Sequence, residues 1–581
     1  MADKEVVDGL PECWAPDIVV GIDFGMTFTG VAYSCGPEWL PPKTIQRWPG
    51  RLPGELANKV PTAIEYCPES GNVKNWGFKC DPEIRGSDIK EFFKLHLAPQ
   101  YQAENQGGPT RLEAQRWFQD YILCIYHHVV SHFNSSIPHF GSRQVEFLFS
   151  VPTTWKDVRM VEETRAILER VINTKTPRHR AFIGLTEAEA AAVYAGNEHY
   201  MVDDTILVCD AGGGTTDVNV LKLISTRGEP TRLEQLGHVE GQPIGSVFID
   251  RRIHHLICQR LDKIHDHLEL SPSDAAWIMT SGRFQRLKCA FGTDAILTPW
   301  LKLDVPTLGP MLDLPEAEIH NGQMHIAWDE LKNCFDIMAN KMCTLLDGHI
   351  QKMQSKYPGD QISYLVLSGG FGSSPYIRRC LMDRFGSSAD NKHPNAENMQ
   401  ILLADEPQLV VVHGLVLDRI QQIKRGVVTF GSRCAPVSYG IMCDKLYDPK
   451  KHVGEPGCPI PYTGITKEFQ LKVDPGREND HWKVQIVMST LPADNLPYNM
   501  REKGAQKVCS LDISVDDVDK KLKNRHWYSM KPAFWRTVFE VKVVVGPADL
   551  SFQLWSKDKR IVSGKHEPIA VQWMAAEELE E

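Results

Sequence analysis

Two segments of the chain place carboxylates beside turns that are rich in glycine. In the first, IVVGIDFGMTFTG, Asp23 precedes Gly25 and Thr27. In the second, ILVCDAGGGTTDV, Asp210 precedes three glycines and Asp217 follows them. Glycines leave the backbone N–H groups of a turn unobstructed, so successive N–H groups can bind the oxygens of one phosphate. These residue types therefore predict phosphate binding at both turns.

The carboxylates near these turns predict a metal ion as well. Phosphate and carboxylate groups repel each other unless a divalent cation lies between them, so we expect Mg²⁺ near Asp23 and Asp210, held largely through water. Hydrolysis of a bound phosphate also needs a positioned water and a group that handles its proton. The hydroxyls of Thr27 and Thr215 are the candidates for that group.

Each segment alone also fits an ordinary turn, because Asp before Gly is common in turns. A third glycine-rich segment, SGGFGSSP, follows the apolar run YLVL and precedes YIRRCLMDRF. This order predicts a strand, a glycine turn and a helix that starts near Pro375. A strand that leads glycines into a helix N-terminus suits a nucleotide phosphate. Three such segments together favour nucleotide binding over three unrelated turns.

Strands must position the two carboxylate-bearing turns. An apolar run before each turn and a second run after it, VAYS in one copy and VNVLKL in the other, predict two β-hairpins with glycine-rich tips. Asp23 and Asp210 lie 187 residues apart. We therefore expect a duplicated α/β fold in which two similar lobes each offer one tip to a shared cleft.

The length of 581 residues predicts more than one domain. Helical patterns are found at 185–196 and 328–350, whereas after residue 424 short β-type runs such as FQLKV and FEVKVVV prevail. We expect a flexible N-terminus at 1–16, a nucleotide-binding domain at 17–423 and a β-rich C-terminal domain at 424–581.

Composition argues against several classes of function. The formal net charge of −10 disfavours broad binding to nucleic acid or to an acidic membrane surface, since both need positive fields. No apolar run is long enough to predict a membrane span. The 15 cysteines include no C-x-x-C pair, so neither a disulfide framework nor a zinc site is indicated. Reduced thiols fit a cytoplasmic protein, with the nucleus as an alternative.

The order of segments from about residue 17 to residue 420 resembles that of the 70-kDa heat-shock chaperones of the DnaK type. GIDFGMT is similar to their first phosphate loop, CDAGGGTTDV to their second and LSGGFGSSP to their adenosine motif. FSVPTTW resembles a segment whose proline, Pro152 here, is associated with coupling between lobes. The resemblance implies a two-lobed actin-like ATPase fold with ribonuclease H-like lobes, and ATP or ADP with Mg²⁺ as cofactors.

The resemblance also implies roles for individual residues. Thr215 would be the catalytic threonine, with Asp210 and Asp217 around the metal-bound water, and Glu187 in LTEAEAAAVYAG would hold Mg²⁺ through water. Lys94 in EFFKLHL is the candidate for the catalytic lysine, with a solvated surface lysine as the alternative. The nucleotide-binding residues that the resemblance implies are Asp23, Gly25, Met26, Thr27, Gly212, Gly213, Gly214, Thr215, Gly245, Lys288, Gly369, Gly370 and Phe371.

The chain departs from the family pattern near the phosphates and the base. Met26 stands where the family has a threonine, so one phosphate-facing hydroxyl is missing while the backbone N–H remains. Cys289 and Gln285 stand where the family has an arginine that stacks on adenine and a glutamate that contacts ribose. A thiol cannot replace the cation–π contact of an arginine, so adenine binding should weaken, with Phe371 offering an aromatic face in partial compensation.

The C-terminal half departs further from the family. The apolar interdomain linker, the lid helices and the EEVD tail are not recognisable, and RCAPVSYGIMCDK instead resembles a segment of the divergent heat-shock 70 kDa protein 12 group. The expected function is a nucleotide-dependent switch with slow Mg-dependent ATP hydrolysis, coupled to an unidentified protein partner or client. A sugar-kinase-type phosphotransferase of the same fold and an inactive nucleotide-binding scaffold are the alternatives.

Overall fold

The structure is a computed structural model that describes most of the chain up to residue 430 and separate segments beyond it. The described residues are 14–81, 84, 88–97, 108–153, 155, 158–197, 200–226, 229–237, 239–294, 298–386, 389, 393–430, 432–434, 438–441, 459–461, 465–477, 481–489, 491, 496–497, 499–514, 519–525, 532–545, 549–556, 559–561 and 569–570. Most of the N-terminus predicted to be flexible, 1–16, therefore lies outside the described residues.

The first part of the chain forms a mixed sheet around β1. Its strands are β1 (Ile18–Phe24), β2 (Phe28–Cys35), β3 (Lys43–Thr44), β4 (Lys59–Pro61), β5 (Ala63–Tyr66), β6 (Val73–Trp76), β7 (Asp88–Glu91), β8 (Val145–Val151) and β9 (His179–Thr186). The strand order is β3-β2-β1-β8-β9, with β4 also paired to β2, while β5, β6 and β7 form a separate sheet. β1 is antiparallel to β2, parallel to β8 and buried throughout, as suits an apolar run covered on both faces.

A second sheet repeats this arrangement around β10. The strands of this part are β10 (Thr205–Ala211), β11 (Thr216–Leu223), β12 (Leu233–Gln235), β13 (Glu240–Gln242), β14 (Trp300–Asp304), β15 (Ile319–His320), β16 (Gln323–Ala327), β17 (Ile362–Ser368) and β18 (Gln400–Leu403). The order is β12-β11-β10-β17-β18, with β13 also paired to β11. β10 is antiparallel to β11 and parallel to β17. Both predicted hairpins, β1–β2 and β10–β11, are therefore confirmed within a mixed α/β fold.

Helices cover the two sheets. They are α1 (Phe93–His96), α2 (Arg111–Ser136), α3 (Val158–Ile172), α4 (Glu187–Gly196), α5 (Val247–Leu261), α6 (Pro272–Met279), α7 (Gly282–Ala290), α8 (Trp328–Lys356), α9 (Gly369–Gly372), α10 (Pro375–Phe385) and α11 (Val410–Arg425). Phe118 and Ile125 of α2 belong to the core of the first sheet, and Phe335 and Met342 of α8 belong to that of the second.

Two predicted helix boundaries need correction. The helix predicted at 185–196 begins only at Glu187, because Thr186 ends β9 and caps the helix by accepting a hydrogen bond from the Glu189 N–H. The helix predicted at 328–350 continues to Lys356, because its apolar face stays buried as far as Met353. The helix predicted near Pro375 starts at that residue.

Helix α11 connects the cores of the two sheets. Val412 and Val416 pack with β1, whereas Val410 and Leu415 pack with α4 and the second sheet. At Gly414 the two helices approach so closely that an added Cβ would lie 1.9 Å from the Ala190 carbonyl oxygen of α4. The α4–α11 crossing is therefore a tight junction between the two halves.

Among the described residues after Arg425, every regular element is a strand. These strands are β19 (Ser432–Cys434), β20 (Ser438–Ile441), β21 (Pro459–Pro461), β22 (Ile465–Val473), β23 (His481–Ser489), β24 (Ala505–Ser514), β25 (Asp519–Lys523), β26 (Phe534–Val545), β27 (Asp549–Ser556), β28 (Lys559–Ile561) and β29 (Ile569–Ala570). The largest sheet here runs in the order β22-β26-β27-β28. No helix in the described part of the chain has the length and apolar character that crossing a membrane requires.

Candidate functional site

The two glycine tips line one cavity of about 820 Å³, a volume typical of ligand pockets. Of the residues expected at the site, the lining includes Asp23, Gly25, Met26, Thr27, Lys94, Pro152, Glu187, Asp210, Gly212, Gly213, Gly214, Thr215, Gln285, Lys288, Cys289, Gly369, Gly370 and Phe371. Asp217 and Gly245 lie directly behind this surface, where they contact Thr215 and Gly213 respectively.

The tips touch each other across the cavity. A Cβ built on Gly213 would lie 2.8 Å from the Thr27 hydroxyl oxygen, and one on Gly214 would lie 2.4 Å from the terminal methyl of Met26. A side chain on Gly213 would therefore clash with Thr27, whereas one on Gly214 would displace the end of the flexible Met26 side chain. Met26, which departs from the family pattern, fills the contact between the tips with an apolar group.

Glycines outside the tips hold the second tip in place. A Cβ on Gly245 would lie 2.3 Å from the Gly213 carbonyl oxygen. Gly369 has a left-handed backbone with φ of +80°, and a Cβ there would lie 2.2 Å from the Ala211 carbonyl oxygen. The third glycine-rich segment therefore packs against the end of β10, directly before the second tip.

Asp210 and Asp217 face each other across the β10–β11 pair. Ser368 donates a hydrogen bond to Asp210 at 2.8 Å, and Thr215 donates one to Asp217 at 3.1 Å. Burial, with the negative charge of Glu187 acting in the same direction, raises the pKa of each aspartate to about 7. Both carboxyl groups can therefore exchange protons near neutral pH.

Lys94 is buried, with 6% of its surface exposed, so the interpretation as a solvated surface lysine is wrong. Its ammonium donates to Glu187 Oε1 at 2.5 Å and to the Phe24 carbonyl at the end of β1. Burial raises the pKa of Glu187, while the positive charge of Lys94 acts in the opposite direction. The structure thus brings together two residues that the sequence placed 93 positions apart.

Sequence reasoning missed Lys59. Its ammonium donates to Asp23 Oδ2 at 2.6 Å, and it lines the cavity. The surrounding segment, ANKVPTAI, has no glycine turn and no motif, so the sequence carries no signal for this contact. Only the pairing of β4 with β2 brings Lys59 to the site.

The other end of the cavity contains the positions expected near the base. The Lys288 ammonium donates hydrogen bonds to both carboxylate oxygens of Asp250, at 2.6 and 2.8 Å. Cys289 is exposed, whereas Phe371 is buried against Phe335 with ring centroids 6.2 Å apart. Phe371 therefore lines the cavity, and the arginine among the described lining residues is Arg51, which forms an ion pair with Glu55 at 3.4 Å.

The donor groups fit hydrated Mg²⁺ together with a polyphosphate. Asp23 and Asp210 both line the cavity, next to glycines whose small size leaves backbone N–H groups accessible. Among the described residues, no three His, Cys, Asp or Glu side chains converge into a metal site made of protein alone. Mg²⁺ typically uses one or two carboxylates, several waters and the phosphates of the ligand, which this arrangement allows.

Comparison with known proteins yields matches over most of the chain. Residues 457–575 match a family model described as a domain of unknown function, DUF8568. The chain is 21% identical over 520 residues to Heat shock 70 kDa protein 12A of Mus musculus, and this alignment covers 75% of the chain and 74% of the mouse protein. It is 22% identical over 532 residues to Heat shock 70 kDa protein 12B of Homo sapiens, covering 77% and 74% respectively. A shorter match, 24% identical over 265 residues, joins 44% of the chain to 39% of the Chaperone protein DnaK of Thermoplasma acidophilum.

Proposed function

Because the chain is a divergent member of the heat-shock-70-like family, we propose that it is an ATP-binding protein whose conformation responds to the bound nucleotide. The observation that carries the proposal is the contact between Gly213 and Thr27, at which two tips from two separate sheets meet in one cavity. Backbone N–H groups from both tips can bind the same polyphosphate there.

Asp23 and Asp210 are the residues that would hold Mg²⁺, largely through water, with Glu187 as a further water-mediated contact. When bound, the metal ion would offset the negative charge of the phosphates. The Thr215 hydroxyl donates a hydrogen bond to Asp217, so the lone pairs of the Thr215 oxygen remain able to accept a hydrogen bond from a water. Lys94, fixed by Glu187, would place a positive charge beside that water.

In this proposal the two sheets form the two lobes of an actin-like fold with ribonuclease H-like lobes. Residues 17–423 would be the nucleotide-binding domain and 424–581 a β-rich C-terminal domain that meets a protein partner or client in the cytoplasm. Closure of the lobes on a nucleotide would act on the α4–α11 crossing, and α11 leads directly into the C-terminal strands. Slow hydrolysis of ATP would reset the switch.

Thermal unfolding tests the nucleotide site. With Mg²⁺ and saturating ADP or ATP, we expect the melting temperature to rise by about 5 °C, because a ligand that binds only the folded state stabilises it. AMP serves as the control, since it lacks the phosphates that the two tips would share and should produce a smaller shift. No shift with ADP and ATP would contradict the proposal.

Limited proteolysis tests the coupling between the domains. We expect ATP with Mg²⁺ to change the rate of cleavage near residue 424, because nucleotide-driven movement of α11 would alter access to the chain after Arg425. Equal cleavage with and without ATP would contradict a switch. It would favour the scaffold without turnover, to which the apolar contact of Met26 also points.

A further inference from the structure

Lys59 reaches the cavity by crossing the first sheet. Asp23 of β1 pairs with Gly30 of β2, and Gly30 pairs in turn with Lys59 of β4. Because Gly30 has no side chain, the Lys59 stem can lie across it: a Cβ on Gly30 would be 3.2 Å from Lys59 Cε. The register of three strands therefore builds the Lys59–Asp23 ion pair into the sheet.

The Lys59 ammonium keeps donors available for a ligand. Lys94 and Lys288 each donate two hydrogen bonds to protein oxygens, and their side chains are 7% exposed. Among the described residues Lys59 donates to Asp23 alone, and its side chain is 18% exposed. An ammonium has three donors, so two remain for a group inside the cavity.

The negative charges that line the cavity make the Lys59 ammonium important for phosphate binding. Asp23, Glu187 and Asp210 all line the cavity and would repel a polyphosphate. A metal ion offsets that repulsion only while it is bound. Lys59, by contrast, lies 2.6 Å from Asp23 in the protein itself and offsets the charge of this carboxylate at all times.

We propose that Lys59 is a phosphate-binding residue of the nucleotide site. Its ammonium contacts the phosphates of a nucleoside diphosphate, so that the nucleotide binds even without a divalent cation. The inference rests on the proposed function. It goes beyond that function because Lys59 supplies part of the positive charge that offsets the phosphates. Four carboxylates, those of Asp23, Glu187, Asp210 and Asp217, lie at or behind the cavity surface and would make binding depend strongly on Mg²⁺. With Lys59 present, that dependence is weaker.

The test compares ADP binding with and without Mg²⁺ in the full-length chain. We expect ADP to raise the melting temperature of the wild-type protein in EDTA. Lys59→Met should bind ADP about tenfold more weakly in EDTA, because a hydrogen bond to a charged group is lost. Much of the shift should return when Mg²⁺ is added. Lys74→Met is the matched control, since Lys74 also pairs with a buried carboxylate, Glu65 at 2.7 Å, but does not line the cavity.

Each outcome decides a different point. If ADP raises the melting temperature of the wild-type protein in Mg²⁺ but not in EDTA, the inference is overturned and the proposed function stands. If ADP raises it in neither condition, both are overturned. An equal EDTA shift in Lys59→Met and wild type would also overturn the inference. Should Lys59→Met fail to fold, Lys59→Gln keeps a hydrogen-bond donor for Asp23 without the charge and should show the same loss.

Discussion

Among single residues, the three lysines that line the cavity are each paired with one carboxylate. The pairs are Lys59 with Asp23, Lys94 with Glu187 and Lys288 with Asp250, at 2.5 to 2.6 Å. All three pairs are largely buried, so removing one partner leaves an uncompensated charge that costs about 3 to 5 kcal/mol. A lysine variant here therefore changes stability as well as ligand binding, and both need to be measured.

Thr215→Ala should separate turnover from binding. The substitution removes the hydroxyl that donates to Asp217 but keeps the backbone N–H of the tip. We expect single-turnover ATP hydrolysis to fall by about ten- to a hundredfold, with the ADP-induced melting shift unchanged. Thr215→Ser, which keeps the hydroxyl, is the control and should retain most of the rate. Equal hydrolysis in Thr215→Ala and wild type would exclude a catalytic role for this hydroxyl.

Gly245→Ala should damage the second tip from behind. Its new Cβ would lie 2.3 Å from the Gly213 carbonyl oxygen, so the tip must shift. We expect a loss of about 1 to 3 kcal/mol in stability and loss of the ADP-induced melting shift. Gly237→Ala is the control, because a Cβ there meets nothing within 4 Å. Full ADP binding by Gly245→Ala would show that the tip tolerates displacement.

Among the secondary-structure elements, the two hairpins could be predicted from the sequence. Pairing between strands that are not neighbours in the chain, such as β2 with β4, could not. β1 and β10 are largely apolar strands that are each followed directly by a glycine, and this local pattern is enough to predict them. Lys59 carries no such signal, because its place depends on the pairing of β4 with β2. The burial of Lys94 likewise depends on its contact with Glu187, which only the tertiary fold creates.

The α4–α11 crossing allows a prediction for a helical element. In Gly414→Ala the new Cβ would lie 1.9 Å from the Ala190 carbonyl oxygen, which forces the helices apart. We expect a loss of about 2 to 3 kcal/mol in stability, seen as a lower melting temperature. Gly348→Ala in α8 provides the comparison, because its Cβ meets nothing within 4 Å. It should stabilise the protein by about 0.5 to 1 kcal/mol, since alanine favours the helix. Equal melting temperatures for the two variants would contradict close packing at the crossing.

At the scale of the whole molecule, Glu91 links two distant parts of the chain. It ends β7 beside the first sheet, yet it faces Asp250 of α5 and Trp277 of α6, which pack with the second sheet. Burial, followed by the negative charge of Asp250, raises the pKa of Glu91 to about 7, although a hydrogen bond with Trp277 acts in the opposite direction. This contact makes the association of the two parts sensitive to pH.

The sign of the pH effect follows from the proton count. Because the pKa of Glu91 is about 4.5 in the unfolded chain and about 7 in the folded one, the folded state binds more protons between these values. The contribution of Glu91 to the free energy of unfolding therefore falls as pH rises from about 5 to 8. Glu91→Gln cannot ionise, so its free energy of unfolding should fall by about 2.5 kcal/mol less than that of the wild-type protein over this interval, or about 5 °C less in melting temperature. The exposed Glu234→Gln is the control and should keep the wild-type pH dependence. If Glu91→Gln also followed the wild-type curve, Glu91 would not be the group that makes the contact between the two parts sensitive to pH.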